Sequence, residues 1–269
     1  MYPILFHAGP LTIHSFGVMM AVAFVAAGIV GRWQFKKRGV TPDFIYPIVV
    51  AAVIGGLLGA KIHYLILHPS EFPGNILSGS GLVWFGGLFG AILAVVIVTL
   101  VRKQSLAGVM DTGALAIAVG YVFGRLGCFL NGDDYGIPTK LPWGMSFPNG
   151  SPPTTVRVHP TQLYEALASL VIFALLFWVI SPRFKREGPL MFAYLILAGI
   201  ERFLVEFVRT NPPVALGLTQ QQWISIGLFV IGVVGVWWFA RHGRLRPVEQ
   251  PKKGKAAAGA KVRTAKAAR

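Results

Sequence analysis

The chain has 269 residues, of which 54% are hydrophobic and only 13% are charged. An ordinary soluble domain carries about 25% charged residues, so the composition argues against soluble domains and for a single membrane-embedded unit. The net charge of +15 suits a nucleic-acid partner, but ten of the 25 Lys and Arg residues lie from Arg241 onward. We interpret residues 241–269 as a basic, disordered cytoplasmic tail near anionic lipid. No nucleic-acid partner is expected, although RNA binding by the tail stays open as an alternative.

Seven apolar windows are each long enough for a membrane-spanning helix, which needs about 20 residues. They cover residues 14–32, 44–67, 82–101, 109–130, 163–180, 189–208 and 222–240. No basic residue precedes the first apolar run, so we expect a retained first helix rather than a cleaved signal peptide. The sequence predicts an all-α polytopic membrane protein with about seven transmembrane helices, in one membrane domain over residues 1–240.

Basic residues in the connections predict the orientation. The connections after the first, third and fifth helices carry four, two and three Lys or Arg residues, on the side of the basic tail. The opposite connections carry only Lys140, Arg157 and Arg209. We therefore expect the N-terminus outside and the C-terminus in the cytoplasm. Residues 131–162, rich in Gly and Pro, then form a small irregular extracytoplasmic lobe between helices four and five, with room for a short hairpin.

Ionisable residues at membrane depth predict a functional site. In the sixth window, GIERFLVEFVRTN places Arg202 and Glu206 four residues apart on one helical face, which Arg209 extends. Arg125 lies near the outer end of the fourth window. Two arginines from separate helices suit a phosphate, because guanidinium groups stay charged and bind in a bidentate manner. A structural ion-pair network, or snorkelling to the interface, explains them equally well.

Other motifs are weaker. Small-xxx-small spacings in GGLLGAK at 55–61 and FGGLFG at 85–90 favour close helix packing over a glycine-lined wall that admits a lipid chain. The GSG at 79–81 resembles a serine nucleophile motif but has no evident His partner. The six histidines show no metal-ligand spacing, and the lone Cys128 excludes an intramolecular disulfide and a multi-cysteine metal site. No metal and no cofactor are expected.

The stretch GRLGCFLNGDDYG at 124–136 closes the fourth window. It resembles the signature of the prolipoprotein diacylglyceryl transferases, which is close to G-R-x-G-N-F-x-N-G-E-x-x-G. Four further stretches agree with this family in order, namely IHSFG at 13–17, FGGLFG at 85–90, HPTQLYEA at 159–166 and ERFLVEFVR at 201–209. The resemblance covers nearly the whole chain except the basic tail.

The resemblance implies an enzyme of the bacterial cytoplasmic (inner) membrane. Such enzymes transfer the diacylglyceryl group of phosphatidylglycerol to the thiol of a lipobox cysteine, forming a thioether and releasing glycerol phosphate. The implied partners are phosphatidylglycerol, prolipoprotein signal peptides and membrane lipids. A diverged, non-catalytic phospholipid-binding protein of the same fold is the alternative. A small-solute transporter is disfavoured, because paired broken helices in two matching halves are absent.

The resemblance also assigns candidate site residues. Arg125 and Arg202 match family arginines and would grip the departing phosphate. Glu206 would orient an arginine or accept the thiol proton, and Asp133, at a family Glu position, completes the catalytic candidates. The substrate-binding candidates are Arg125, Arg202, Asn131, Gly136, Phe85, Gly86, Gly87, His14, Tyr164, Glu165 and Arg209. Of these, Tyr164 and Glu165 are expected to shape the entrance.

The chain departs from the family pattern at several positions. Phe85 stands where a form of the family has the His of an H-G-G segment, so another base is needed, with Glu206 or Asp133 the nearest candidates. Phe16 and Ala198 stand where tyrosines are expected. These departures are the reason for keeping the non-catalytic alternative.

Two further residues of the signature stretch receive a structural interpretation. Cys128 stands in place of the signature Asn, and we interpret it as a small, partly buried residue rather than as a covalent nucleophile. Asp134 is expected to be a surface residue of the lobe.

Overall fold

The computed structural model describes residues 2–9, 11–71 and 81–246. Two regions singled out by the sequence therefore lie partly outside it: residues 79–80 of the GSG stretch, and residues 247–269 of the basic tail.

Within the described ranges the chain forms seven α-helices, which confirms the predicted all-α polytopic fold. They are α1 (Ser15–Lys37), α2 (Ile45–Leu67), α3 (Trp84–Val101), α4 (Leu106–Asn131), α5 (Thr161–Ala174), α6 (Pro189–Val205) and α7 (Gln220–His242). A π-helical segment (Leu175–Ile180) continues α5, and a 3₁₀ turn (Glu206–Val208) continues α6. The bounds of the seven predicted apolar windows differ from the helix ends by a few residues, because polar residues at a helix end, as in α1, do not extend an apolar run.

Six of these helices are long and apolar enough to cross a membrane when α5 is counted with its helical continuation to Arg183 and α2 with the turn from Pro42. The exception in the described part of the chain is α6, which has 17 residues and carries Glu201 and Arg202. Its charged end is the region that the sequence marked as functional.

Three short antiparallel strand pairs lie outside the helices, one before α1, one between α4 and α5, and one between α6 and α7. They are β1 (Ile4–Ala8) with β2 (Leu11–His14), β3 (Met145–Phe147) with β4 (Thr154–Val158), and β5 (Pro213–Ala215) with β6 (Leu218–Thr219). The pair β3–β4 is the hairpin of the lobe between α4 and α5. The other two pairs were not predicted, because strands of two to five residues leave little periodic signal.

The helices pack in pairs, α1 on α4, α2 on α3 and α6 on α7, and α5 fits against α4 and α6. A buried core of small and branched side chains joins α4, α5 and α6, with Ala114, Leu115 and Leu190 fully enclosed. Between α2 and α3 the contact is made by glycines: a Cβ at Gly59 would overlap the Gly86 carbonyl oxygen. The helix-packing interpretation of the glycine spacings is confirmed.

A buried carboxylate that the sequence analysis missed ties the other end of the bundle together. Asp111 of α4 is fully buried, and its Oδ1 accepts the N–H groups of Leu190 (2.9 Å) and Met191 (3.1 Å) in the first turn of α6. Its Oδ2 pairs with Arg38 at 3.4 Å and with Arg246 at 3.2 Å. One side chain therefore links α1, α4, α6 and the segment after α7.

The glycine contact predicts unequal effects of one substitution at two positions of α2. Gly59→Ala should push α2 away from α3 and destabilise the protein by about 1–3 kcal/mol. Gly56→Ala is the matched control, since a Cβ there meets its nearest neighbour at 3.6 Å, and it should stay within about 0.5 kcal/mol of the parent. Thermal unfolding in detergent measures both. Equal effects would contradict the close-contact explanation.

Asp111→Asn should destabilise the protein by about 3–5 kcal/mol, because it leaves two buried guanidinium groups without their shared anion. The control is Asp43→Asn, which removes an exposed pair with Arg32 whose side chains are 64% and 53% exposed. That change should cost at most about 1 kcal/mol. The thermal unfolding midpoints of the two variants are compared in one detergent. An Asp111→Asn variant as stable as the parent would show that Asp111 does not hold these segments together.

Candidate active site

Glycines bring three of the signature stretches together. The chain leaves α4 at Gly132, whose φ of +75° favours glycine and whose N–H donates to the Cys128 carbonyl at 2.8 Å. Four residues later, Gly136 donates to the His159 carbonyl at 2.9 Å, and a Cβ at Gly136 would overlap the Val208 carbonyl oxygen. The end of GRLGCFLNGDDYG thus lies between the start of HPTQLYEA and the end of ERFLVEFVR.

The IHSFG stretch lies against the same end of α4. A Cβ at Gly127 would come within 3.0 Å of Met19 and 3.3 Å of Phe16, so the start of α1 packs directly on the signature stretch. Tyr2 also donates its N–H to the Leu130 carbonyl at 3.1 Å. Four of the five stretches therefore meet at one end of the bundle.

Glu165 of α5 lies at the centre of this region and is fully buried. Its Oε2 accepts the Tyr121 hydroxyl at 2.9 Å and pairs with Arg125 Nε, both from α4. Its Oε1 pairs with Arg202 at 2.7 Å and with Arg209 at 3.4 Å. From the sequence, Glu165 was expected to shape an entrance; in the structure it is the shared partner of three arginines.

Asp134 closes the cluster on its open side. Its Oδ2 lies 2.8 Å from Arg125 Nη1, and its Oδ1 lies 2.7 Å from Arg209 Nη2. Burial alone would raise the pKa of Asp134, but Arg209 and Arg125 outweigh that effect and hold it below the ordinary value. The expectation that Asp134 is only a surface residue was therefore wrong, although its side chain keeps 42% of its exposure.

The helical spacing at the end of α6 produces the expected pairing. Arg202 Nη2 lies 2.9 Å from Glu206 Oε2, and Arg209 Nε lies 3.9 Å from the same oxygen. Asn211 donates to Glu206 Oε1 at 2.6 Å. Glu206 therefore holds Arg202 and Arg209 in place.

The cluster is balanced in charge, yet within the described residues Arg125 keeps a nitrogen available to a ligand. Three arginines face the carboxylates of Glu165, Asp134 and Glu206. Nε and Nη1 of Arg125 are engaged, whereas its Nη2 makes no hydrogen bond to the described residues. The Arg125 and Arg202 side chains remain 15% and 20% exposed. Such a set can receive an anion with several oxygen acceptors, as a phosphate monoester or diester has.

Two other signature residues lie beside the cluster without pairing with its arginines. Asn131 donates to Asp133 Oδ2 at 2.6 Å, and Gln162 donates to the Asp133 backbone carbonyl. In the described part of the chain no ion pair links Asp133 to an arginine. The catalytic role assigned to Asp133 stays a prediction. Asp134, the next residue, forms the ion pairs with Arg125 and Arg209.

Four substrate-binding candidates lie apart from the ion pairs. His14 is exposed at the start of α1 and makes no capping bond. Phe85, Gly86 and Gly87 form the first turn of α3, where Gly86 packs on Gly59 and Phe85 stays 39% exposed. Among the described residues, no hydrogen bond or ion pair joins these four to the arginines, so their assignment stays a prediction.

Tyr164 lies on an open apolar groove of about 450 Å³ next to the cluster. Its hydroxyl accepts Trp143 Nε1 at 2.8 Å and lies 3.2 Å from His159 Nδ1. The groove is lined by Leu141, Trp143, His159, Tyr164, Leu204, Val205 and Val208. The entrance role assigned to Tyr164 stays a prediction.

Two features escaped the sequence analysis. Tyr121 bonds both Glu165 and Arg125; its four-residue spacing from Arg125 was the available signal. In addition, ligand atoms of Cys128, Asp133 and Asp134 lie within 4.8 Å of one another, a spacing that a metal ion can use. Two arginines already neutralise Asp134, however, which disfavours a cation there.

The fold and site define a polytopic membrane protein with a buried arginine–carboxylate cluster at one end of its helix bundle. The family model described as Prolipoprotein diacylglyceryl transferase matches residues 3–238. The chain belongs to the prolipoprotein diacylglyceryl transferase family.

Curated relatives agree over most of their length. The chain is 34% identical to the phosphatidylglycerol–prolipoprotein diacylglyceryl transferase of Clostridium tetani, over 87% of this chain and 96% of the relative. It is 35% identical to the protein of that name from Bordetella avium, over 91% and 97% of the two chains. For the Cupriavidus metallidurans protein the identity is 32%, over 90% and 94%.

Glu165→Gln should destabilise the protein by about 3–5 kcal/mol, because three largely buried guanidinium groups lose their common anion. Tyr164→Phe is the neighbouring control and should cost at most about 1.5 kcal/mol, the value of a hydroxyl's hydrogen bonds. Thermal unfolding in detergent at neutral pH measures both. If Glu165→Gln unfolds no earlier than Tyr164→Phe, Glu165 is not the organising partner of the arginines.

Proposed function

We propose that this protein is an enzyme that transfers the diacylglyceryl group of phosphatidylglycerol to the thiol of a lipobox cysteine in a prolipoprotein. The product is a thioether, the leaving group is glycerol phosphate, and the reaction is the first step of lipoprotein maturation. Membership of the family and the names of the relatives support the activity. The observation that carries the chemistry is the arginine cluster around Glu165 with an unengaged Arg125 donor.

The reaction forms a bond between the cysteine sulfur and a glycerol carbon while the bond from that carbon to a phosphate oxygen breaks. The thiolate is the attacking species, and the electron pair leaves with the phosphate. Negative charge therefore grows on the phosphate in the transition state. Arg125 and Arg202, held in fixed orientation by Glu165 and Glu206, stabilise that charge without reorganising.

The membrane setting of the proposal follows from the helices and the charge distribution. We place the protein in the bacterial cytoplasmic membrane as a multi-pass protein, with residues 1–240 as the transferase domain and 241–269 as a cytoplasmic tail. The N-terminus and the lobe over 131–162 then lie outside, where signal peptides emerge. Both substrates reach the cluster from the outer leaflet, past the apolar groove beside Tyr164.

Arg125→Ala and Arg202→Ala should each reduce transfer by about 10²–10³-fold, as expected for the loss of one preorganised donor to a developing anion. The transfer rate of Arg125→Lys should also fall well below that of the parent, because an ammonium group lacks the planar, bidentate donor geometry of a guanidinium group. The measurement is transfer of labelled diacylglyceryl from phosphatidylglycerol to a lipobox peptide in membranes.

Arg32→Ala is the control, since Arg32 lies in an exposed pair at the other end of α1, and it should keep the parental rate. Near-parental transfer in the Arg125→Ala and Arg202→Ala variants would remove the arginines from the mechanism. A parent protein that bound phosphatidylglycerol without transferring it would instead support the non-catalytic alternative.

A further inference from the structure

Glu201, next to Arg202 on α6, carries a carboxylate that the ion pairs of the site do not use. Its Oε1 is buried and has no hydrogen-bond partner in the described part of the chain. A buried carboxylate oxygen without a partner is costly, and in a native protein such a group calls for a functional explanation. In a membrane-spanning helix the explanation sought first is a substrate or proton path.

The surroundings of Glu201 place it within the site. Tyr121 and Arg125 of α4, Glu165 of α5, and Tyr194, Arg202 and Arg209 interact with it electrostatically. Yet neither Arg125 nor Arg202 forms an ion pair with Glu201 within the described ranges. The carboxylate is therefore close enough to interact with the cluster, but it forms no ion pair with the arginines among the described residues.

The other carboxylates of the cluster are already engaged by arginines. Glu165 pairs with three arginines, Asp134 with two, and Glu206 with Arg202 and Arg209. An adjacent guanidinium stabilises the charged form of a carboxylate and so lowers its tendency to take a proton.

Asp133 is the remaining competitor, because its Oδ1 is also buried without a partner. Its Oδ2, however, accepts the Asn131 amide at 2.6 Å, so this carboxylate already has a hydrogen-bond donor. Glu201 accepts no hydrogen bond from any described residue. Of the two, Glu201 is therefore the carboxylate that is open to a new proton donor.

We propose that Glu201 is the group that accepts the proton of the substrate thiol. The assignment rests on the transfer proposed above and adds its missing base. Glu201 takes the proton from sulfur, and the thiolate attacks the glycerol carbon. The carbon–oxygen bond to the phosphate breaks as the carbon–sulfur bond forms. The electron pair leaves with glycerol phosphate, and Glu201 later returns the proton to water.

The test compares the parent and Glu201→Gln in detergent micelles with phosphatidylglycerol and a synthetic lipobox peptide, between pH 6 and pH 9.5. At pH 7 the variant should lose about 10²–10⁴-fold in kcat, the range for a general base. The deficit should shrink as the pH passes the ordinary thiol pKa of about 8.5, because the thiolate then forms unaided. The KM for phosphatidylglycerol should not change.

Two variants and a stability measurement guard against a structural explanation. Glu201→Asp should recover part of the activity, because it retains a carboxylate. Glu201→Gln should unfold no earlier than the parent, since it removes an unpaired buried charge. Asp43→Asn, far from the site in an exposed pair, should match the parent at every pH.

Three outcomes would overturn the assignment. One is parental activity of Glu201→Gln at pH 7, and another is a deficit that stays constant with pH. The third is an Asp133→Asn variant that shows the pH-dependent rescue while Glu201→Gln does not. A parent inactive at every pH would refute the transfer itself, which separates failure of the proposed function from failure of this base.

Discussion

The structure of the site depends on one buried anion, the Glu165 carboxylate. Three guanidinium groups cannot be taken out of water near one another unless a negative charge lies among them. Because those groups come from α4, the end of α6 and the segment after it, the single carboxylate on α5 fixes three parts of the chain at once. Asp134 and Glu206 then orient the guanidinium groups through further ion pairs.

Asp111 repeats this arrangement at the opposite end of α4. Asp111 and Arg125 are 14 residues apart, which is about 21 Å along a helix. Between them lie the small, fully buried side chains of Ala114, Leu115 and Ala118. Lipid is as apolar as such a core, so apolar burial alone barely drives helices together in a membrane. The ion pairs around Asp111 and Glu165, at the two ends of the bundle, therefore supply the packing specificity that the apolar core between them cannot.

The sequence predicted those features of the fold and the site whose signal lies within one segment of the chain. Apolar runs predicted seven helices, and a four-residue spacing predicted the pair of Arg202 with Glu206, because both signals lie within one segment. The central place of Glu165 depends on partners from three segments, which no local pattern reveals. The pairing of Asp134, rather than Asp133, with the arginines depends on the backbone conformation after α4. After the left-handed turn at Gly132, Asp134 itself takes a φ of +62°.

The composition of α6 shows what the charged end requires of its neighbours. A helix of 17 residues that carries Glu201 and Arg202 is poorly suited to contact with lipid. In this fold α6 is flanked by α4, α5 and α7. The approach to α7 is close: a Cβ at Gly199 would lie 2.9 Å from the Ser225 carbonyl oxygen. Protein rather than lipid therefore surrounds much of α6, and that enclosure lets this helix carry Glu201, which has no ion pair among the described residues.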